Sequence, residues 1–177
     1  MQSEFTKNHF ELFGLPPAFR IETARLESAY RQLQSQVHPD RFAAATAAEK
    51  RISMQWATRA NEAYETLKRP LSRARYLLAL RGVDTQEETN TAMPADFLIA
   101  QMEWREAVSD ARANRDLSEL DRLAGELRTS ERTLLIDLEK HLDGDGNLPA
   151  AASGVRKLRF VEKLSEEIAD AHEVMEK

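Results

Sequence analysis

Leu33-Gln34-Ser35-Gln36-Val37-His38-Pro39-Asp40-Arg41-Phe42 is the stretch that decides the fold. Before it, apolar residues recur at Leu26, Tyr30, Leu33 and Val37, spacings of four, three and four that make one face of a helix. Pro39 ends that helix. A proline disfavours α geometry in the residue before it and has no N–H to continue the ladder. From about Ala47 a second helical segment runs to Lys68, with Ala57, Ala60, Tyr64 and Leu67 on one side and Trp56 near the edge of that side. The break between the two helices should hold His38 and Asp40 on a rigid turn facing solvent. Two readings of the tripeptide stand at this point: a helix end with a proline stop, or polar groups presented for function on a loop between scaffold helices.

Composition narrows the class. The chain has 177 residues, enough for one domain or two small ones. Hydrophobic residues at 42% and charged residues at 31% predict a soluble protein with a buried core. Gly and Pro number six each, and Ala, Leu, Glu and Arg are abundant, so an all-α fold is expected. The formal net charge of −5 gives no reason to expect nucleic-acid binding. The chain has no cysteine, which excludes disulfides, thiol catalysis, Cys-ligated zinc and thiolate ligation of an iron–sulfur cluster. No long apolar run could span a membrane, and Met1-Gln2-Ser3-Glu4-Phe5 is not a basic region leading into an apolar one. The cytoplasm is the expected compartment.

On either side of the hairpin region, further segments are readable. Residues 8–14 form a short apolar segment with Phe10, Leu12 and Phe13, ended by Gly14. Leu15-Pro16-Pro17 make a turn, and the next helix begins near Ile21, with Arg25 and Arg31 off its apolar stripe. Pro70 interrupts the later helix, and Leu71, Ala74, Leu77, Leu78 and Leu80 form another apolar segment that Gly82 closes. Residues 83–94 are polar and contain Pro94, so they read as a linker. Residues 1–82 and 95–177 are then two domains. In the second, helical segments are expected over Ala95–Asn114, Asp116–Leu142 and Pro149–Glu176. Their short connections predict an antiparallel three-helix bundle.

The segment 95–114 carries the second informative pattern. At about 100° per residue, Phe97, Ala100, Trp104, Ala107, Val108 and Ala111 fall within one arc and should face the bundle. Leu98, Ile99 and Met102 fall on the opposite side, together with Glu103, Glu106 and Asp110. Apolar anchors beside an acidic rim fit a partner surface. The rival reading is that the linker or the first domain covers them.

Other candidates carry less. His141 to Asn147 reads His-Leu-Asp-Gly-Asp-Gly-Asn, similar to the start of a calcium loop. Counting from Asp143, however, the positions that require Gly and Glu hold Leu148 and Gly154. His172 lacks a second His at metalloprotease spacing, and no partner for His9 is visible. His38 and Asp40 have no identifiable nucleophile, so no catalytic dyad, and hence no enzyme, is expected. No Gly-rich phosphate loop is present, and no metal or cofactor is expected.

The order of segments resembles the J domain of co-chaperones: a short first helix, an amphipathic second helix ending in His38-Pro39-Asp40-Arg41-Phe42, then an antiparallel third helix. Asn61-Glu62-Ala63-Tyr64-Glu65-Thr66-Leu67 and Pro70-Leu71-Ser72-Arg73-Ala74-Arg75-Tyr76-Leu77-Leu78 narrow the likeness to the HscB family of iron–sulfur co-chaperones. Phe97-Leu98-Ile99 with Met102-Glu103-Trp104-Arg105-Glu106, and Arg156-Lys157-Leu158-Arg159-Phe160, agree with it, so the likeness spans nearly the whole chain. It implies a co-chaperone whose J domain stimulates the ATPase of the DnaK-class chaperone HscA, and whose bundle delivers the cluster scaffold IscU. It places His38, Pro39 and Asp40, with Arg25, Arg31 and Arg41, at the chaperone. It places Leu98, Ile99, Met102, Glu103, Glu106, Asp110 and Phe160 at the scaffold. Phe160 sits at the edge of an apolar stripe, and core packing is its rival role. The second helix is less basic than is usual in J domains, because Gln32, Gln34 and Gln36 dilute Arg25 and Arg31 and Glu27 opposes them. The alternative function is a general J-domain co-chaperone that hands unfolded clients to DnaK.

Overall fold

The computed structural model describes residues 6–38, 45–87 and 93–176, and all regular structure among them is helical. The chain divides into two compact units, Met1–Leu77 and Leu78–Lys177. Among the described residues no helix is long and apolar enough to cross a membrane.

The first unit begins with the single turn α1 (His9–Leu12). Asn8 and Glu11 close a capping box, each side chain accepting the other's backbone N–H, at 3.0 and 2.8 Å. Gly14, at φ +61°, ends the turn, and the N–H of Leu15 reaches back to the carbonyl of Phe10 at 2.9 Å. The short segment is thereby folded so that Phe10, Phe13, Leu15 and Phe19 are all buried. Helix α2 (Thr23–Val37) and helix α3 (Ala47–Lys68) form the main hairpin. Thr46 and Glu49 make the capping box that starts α3. The Tyr30 and Tyr64 rings stack at 4.1 Å across the hairpin, and the Tyr30 hydroxyl donates to Asn61 Oδ1 at 2.9 Å. Leu26 is fully buried, while Tyr30, Leu33 and Val37 of the same stripe are half-buried. Trp56 proves to be buried, so the edge of the α3 stripe belongs to the core.

Pro70 does not kink a helix but opens a new one. It is the first residue of α4 (Pro70–Leu80), a position where its missing N–H costs nothing. Arg73 of α4 is buried, with its guanidinium 5.1 Å from the Phe19 ring centre and donating to the Leu67 carbonyl at 2.7 Å.

The second unit holds α5 (Ala95–Asn114), α6 (Leu117–Glu139) and α7 (Leu148–Glu176). Phe97 meets Phe160, Arg105 meets Glu167 and Arg115 meets Met175, so α5 runs parallel to α7. Asp121 meets His172 and Leu138 meets Gly154, so α6 is antiparallel to both. Leu120, Leu123, Leu127, Leu134 and Leu138 of α6 are buried against Val155, Leu158, Val161, Leu164 and Ile168 of α7. Each such side chain contributes about 1.5–3 kcal/mol of transfer free energy.

The expected helix to Leu142 stops at Glu139 and widens into a π-helical turn, Lys140–Gly144. In the following loop, Asp145 accepts the N–H of Asn147 at 2.9 Å and touches the His141 ring at 3.1 Å. Residues 81–87 are tied along this unit. Arg81 donates to the Leu142 carbonyl at 2.7 Å, Arg156 to the Thr85 carbonyl at 3.0 Å, and Arg159 lies 3.7 Å from Glu87.

Candidate functional sites

The first candidate site is the end of α2. Val37 is its last helical residue, and His38 is already extended, at φ −61° and ψ 130°, as a residue before proline is pushed to be. The His38 side chain is exposed. Pro39, Asp40 and Arg41 lie outside the described residues. Arg25 and Arg31 are exposed on α2; Arg25 reaches the Gly14 carbonyl at 3.3 Å, and Arg31 lies 3.4 Å from Glu27. A surface pair of that kind is worth under about 1 kcal/mol. It nonetheless cancels part of a basic field that the sequence already makes weak.

Sequence reasoning missed one residue here. Ser53 of α3 is buried, and its hydroxyl donates to the Val37 carbonyl at 2.6 Å. The signal was available: Ser53, Trp56, Ala60, Ala63 and Leu67 are the buried residues of α3, spaced as one stripe, and Ser53 is the polar member.

The second candidate site is the outer side of α5. Leu98, Ile99 and Met102 are 40%, 57% and 73% exposed, which is high for apolar side chains on one short stretch. Glu103, Glu106 and Asp110 are exposed on the same helix. The opposite side is anchored, with Phe97, Val108 and Ala111 buried and Ala100, Trp104 and Ala107 half-buried. The helix therefore has its core face satisfied and still shows a second apolar face.

Phe160 comes from α7 and meets α5 from the bundle side. Its ring stacks on Trp104 at 6.4 Å and 17°, and meets Phe97 edge-on at 6.0 Å. The Arg105 guanidinium lies 5.3 Å from the Phe160 ring centre, held also toward Glu167 at 3.9 Å. Phe160 is half-buried, so it shares its surface between packing and solvent.

His9, which had no visible partner in the sequence, stacks on Tyr76 at 4.3 Å and donates its backbone N–H to the Tyr76 hydroxyl at 3.0 Å. Burial lowers its imidazole pKa below the ordinary value; Glu62 opposes that shift and Arg59 adds to it. Among the described residues no group of three or more His, Asp or Glu side chains could hold a metal ion.

Comparison with known proteins finds two family models on the chain: a DnaJ domain over residues 8–76, and an HSCB C-terminal oligomerisation domain over residues 93–169. A co-chaperone protein HscB homolog of Azoarcus is 52% identical over 176 residues, covering 99% of each chain. One from Burkholderia thailandensis is 56% identical over 169 residues, covering 96% of each. Among solved structures, the chaperone HscB from Vibrio cholerae matches with a TM-score of 0.84 at 36% identity, over 96% of this chain and 99% of that one. The human co-chaperone HscB matches with a TM-score of 0.87 at 30% identity, over 93% of this chain and 81% of that one.

Proposed function

We propose that this chain, which belongs to the HscB co-chaperone family, is a two-ended adaptor for iron–sulfur cluster assembly in the cytoplasm. Its J-domain end, residues 1–82, engages the DnaK-class chaperone HscA through His38, Pro39 and Asp40, with Arg25, Arg31 and Arg41 at the rim. Its bundle end, residues 95–177, holds the scaffold IscU through Leu98, Ile99, Met102, Glu103, Glu106, Asp110 and Phe160. Residues 83–94 link the two. The observation that carries the reading is the α5 helix, buried on one side through Phe97, Val108 and Ala111 and showing exposed Leu98, Ile99 and Met102. Burial of those three on a partner would supply the central apolar anchors of an interface, with the carboxylates as a polar rim.

The J-domain end brings no catalytic group to ATP. A binding partner accelerates hydrolysis only by interacting more strongly with the hydrolysis-competent state of the chaperone, or with the transition state, than with the resting state. His38 is accordingly a contact group. The weak basic field of α2 makes association slower and less salt-sensitive than it would be for a strongly basic J domain.

The test separates the two ends. His38→Gln should abolish stimulation of HscA ATPase while leaving IscU binding intact. Leu98→Ala with Met102→Ala should weaken IscU binding by more than about tenfold in titration calorimetry, with the circular dichroism melt nearly unchanged. Stimulation that survives His38→Gln would remove the tripeptide from the mechanism. A large fall in melting temperature for the double variant would return Leu98 and Met102 to the core.

A further inference from the structure

Helix α2 ends without a glycine cap. Its next residue, His38, is extended, and no glycine supplies the left-handed turn that commonly closes a helix. Pro39 has no N–H to offer by its chemistry. The last carbonyls of the helix must therefore find donors from outside it. The Val37 carbonyl finds one across the hairpin, the Ser53 hydroxyl at 2.6 Å.

Ser53 is 3% exposed and stands on the stripe otherwise made by Trp56, Ala60, Ala63 and Leu67. A polar residue on an apolar stripe is disfavoured unless its hydrogen bond is made. The bond has a geometric consequence. The Val37 carbonyl and the N and Cα of His38 belong to one planar peptide unit. Holding that oxygen from α3 fixes the plane from which His38 departs.

We propose that Ser53 is a positioning residue for chaperone stimulation: its hydroxyl pins the Val37 carbonyl to α3 and so sets the direction in which His38 is presented. The proposal rests on the reading of His38 as the stimulating contact. It adds that the presentation is set from α3, by a side chain that does not itself face the chaperone.

A matched pair of variants tests it. Ser53→Thr keeps the hydroxyl, while Ser53→Val has nearly the same shape without it, so any packing effect of the added bulk is common to both. Ser53→Thr should keep the saturating stimulated ATPase rate within about twofold, and Ser53→Val should lose about five- to tenfold, the size of one partly buried hydrogen bond. The half-saturating concentration should change little in either, because the exposed side of α2 is untouched. The His38 backbone amide cross-peak in a 1H–15N spectrum should move in Ser53→Val and stay near its wild-type position in Ser53→Thr. Equal rates and equal His38 shifts in the two variants, whether both high or both low, would overturn the proposal in favour of simple packing. The spectrum needs no chaperone. Should the wild-type protein fail to stimulate, the stimulation reading falls, and the cross-peak still decides whether Ser53 holds His38.

Discussion

Helices α5 and α6 lie in one bundle with similar lengths, 20 and 23 residues, yet they are built differently. Five leucines of α6 are buried, whereas α5 buries Phe97, Val108 and Ala111 and exposes Leu98, Ile99 and Met102. The hairpin of the first unit repeats the contrast: α3 buries five residues and α2 buries Leu26 alone. In each unit one helix carries the core and another carries the candidate surface. A helix that supplies less of the core leaves more of its residues available for recognition without a loss of stability. Polar and aromatic ties hold the lighter helix in both units: in the second, Phe97 and Trp104 of α5 meet Phe160 and Arg105 meets Glu167. In the first, Tyr30 meets Asn61 and Tyr64, and the Val37 carbonyl meets Ser53.

Substitutions can break or sharpen this contrast. The largest effect is expected at Leu127, 1% exposed on α6. Leu127→Ala should cost about 2–5 kcal/mol in urea denaturation, by lost transfer energy plus a cavity. Met102→Ala on α5 should stay within about 0.5 kcal/mol. Equal losses at the two positions would end the division of labour. A smaller loss is expected at Gly154. A Cβ there would lie 3.0 Å from Leu138 Cδ2 and 3.3 Å from Leu138 Cγ, so Gly154→Ala must displace a buried leucine. The crowding costs about 1–3 kcal/mol against about 1 kcal/mol that alanine gains over glycine inside a helix, so the expected net loss is under about 2 kcal/mol, and a raised melting temperature would show that the α6–α7 seam has slack.

The smallest effect is a pH dependence of the first unit. The folded His9 imidazole has a lowered pKa, mainly from burial, so the folded state binds fewer protons than the unfolded chain near the ordinary histidine pKa. Its contribution is therefore fully present above about pH 6.5 and is lost as pH falls from there through the lowered folded value. Urea midpoints at about pH 7.5 and pH 5.5 should differ more in the wild type than in His9→Phe, which keeps a ring against Tyr76 and removes the titration. Identical pH shifts in both proteins would assign the effect elsewhere.

Much of this was legible in sequence because it is local. Apolar spacing places α3 and α5 with the observed limits and separates the two sides of α5. Pro39 and Pro70 marked real helix boundaries through backbone chemistry alone. What spacing could not supply were partners distant along the chain. Nothing near Phe160 indicates that Trp104 and Arg105 enclose its ring, and nothing near Thr85 points to Arg156. The turn between α5 and α6 was legible in place, with one segment ending at Asn114 and the next starting at Asp116, but its left-handed conformation was not. Arg115 takes a left-handed conformation at φ 54° where glycine is the usual choice, so the usual marker is missing. Its side chain reaches the Met175 carbonyl at 3.3 Å, a long-range tie that favours arginine there.

The placement of the tryptophans has an optical consequence. The chain has two, and each unit contains one. Trp56 is buried in the hairpin one turn along α3 from Ser53, while Trp104 is half-buried against Phe160 on the bundle-facing side of α5. Replacing either with phenylalanine leaves a single intrinsic fluorophore. With Trp104 alone, emission should follow the melting of the bundle. With Trp56 alone, it should follow the melting of the hairpin that presents His38. The two units can thus be watched separately, without an added label.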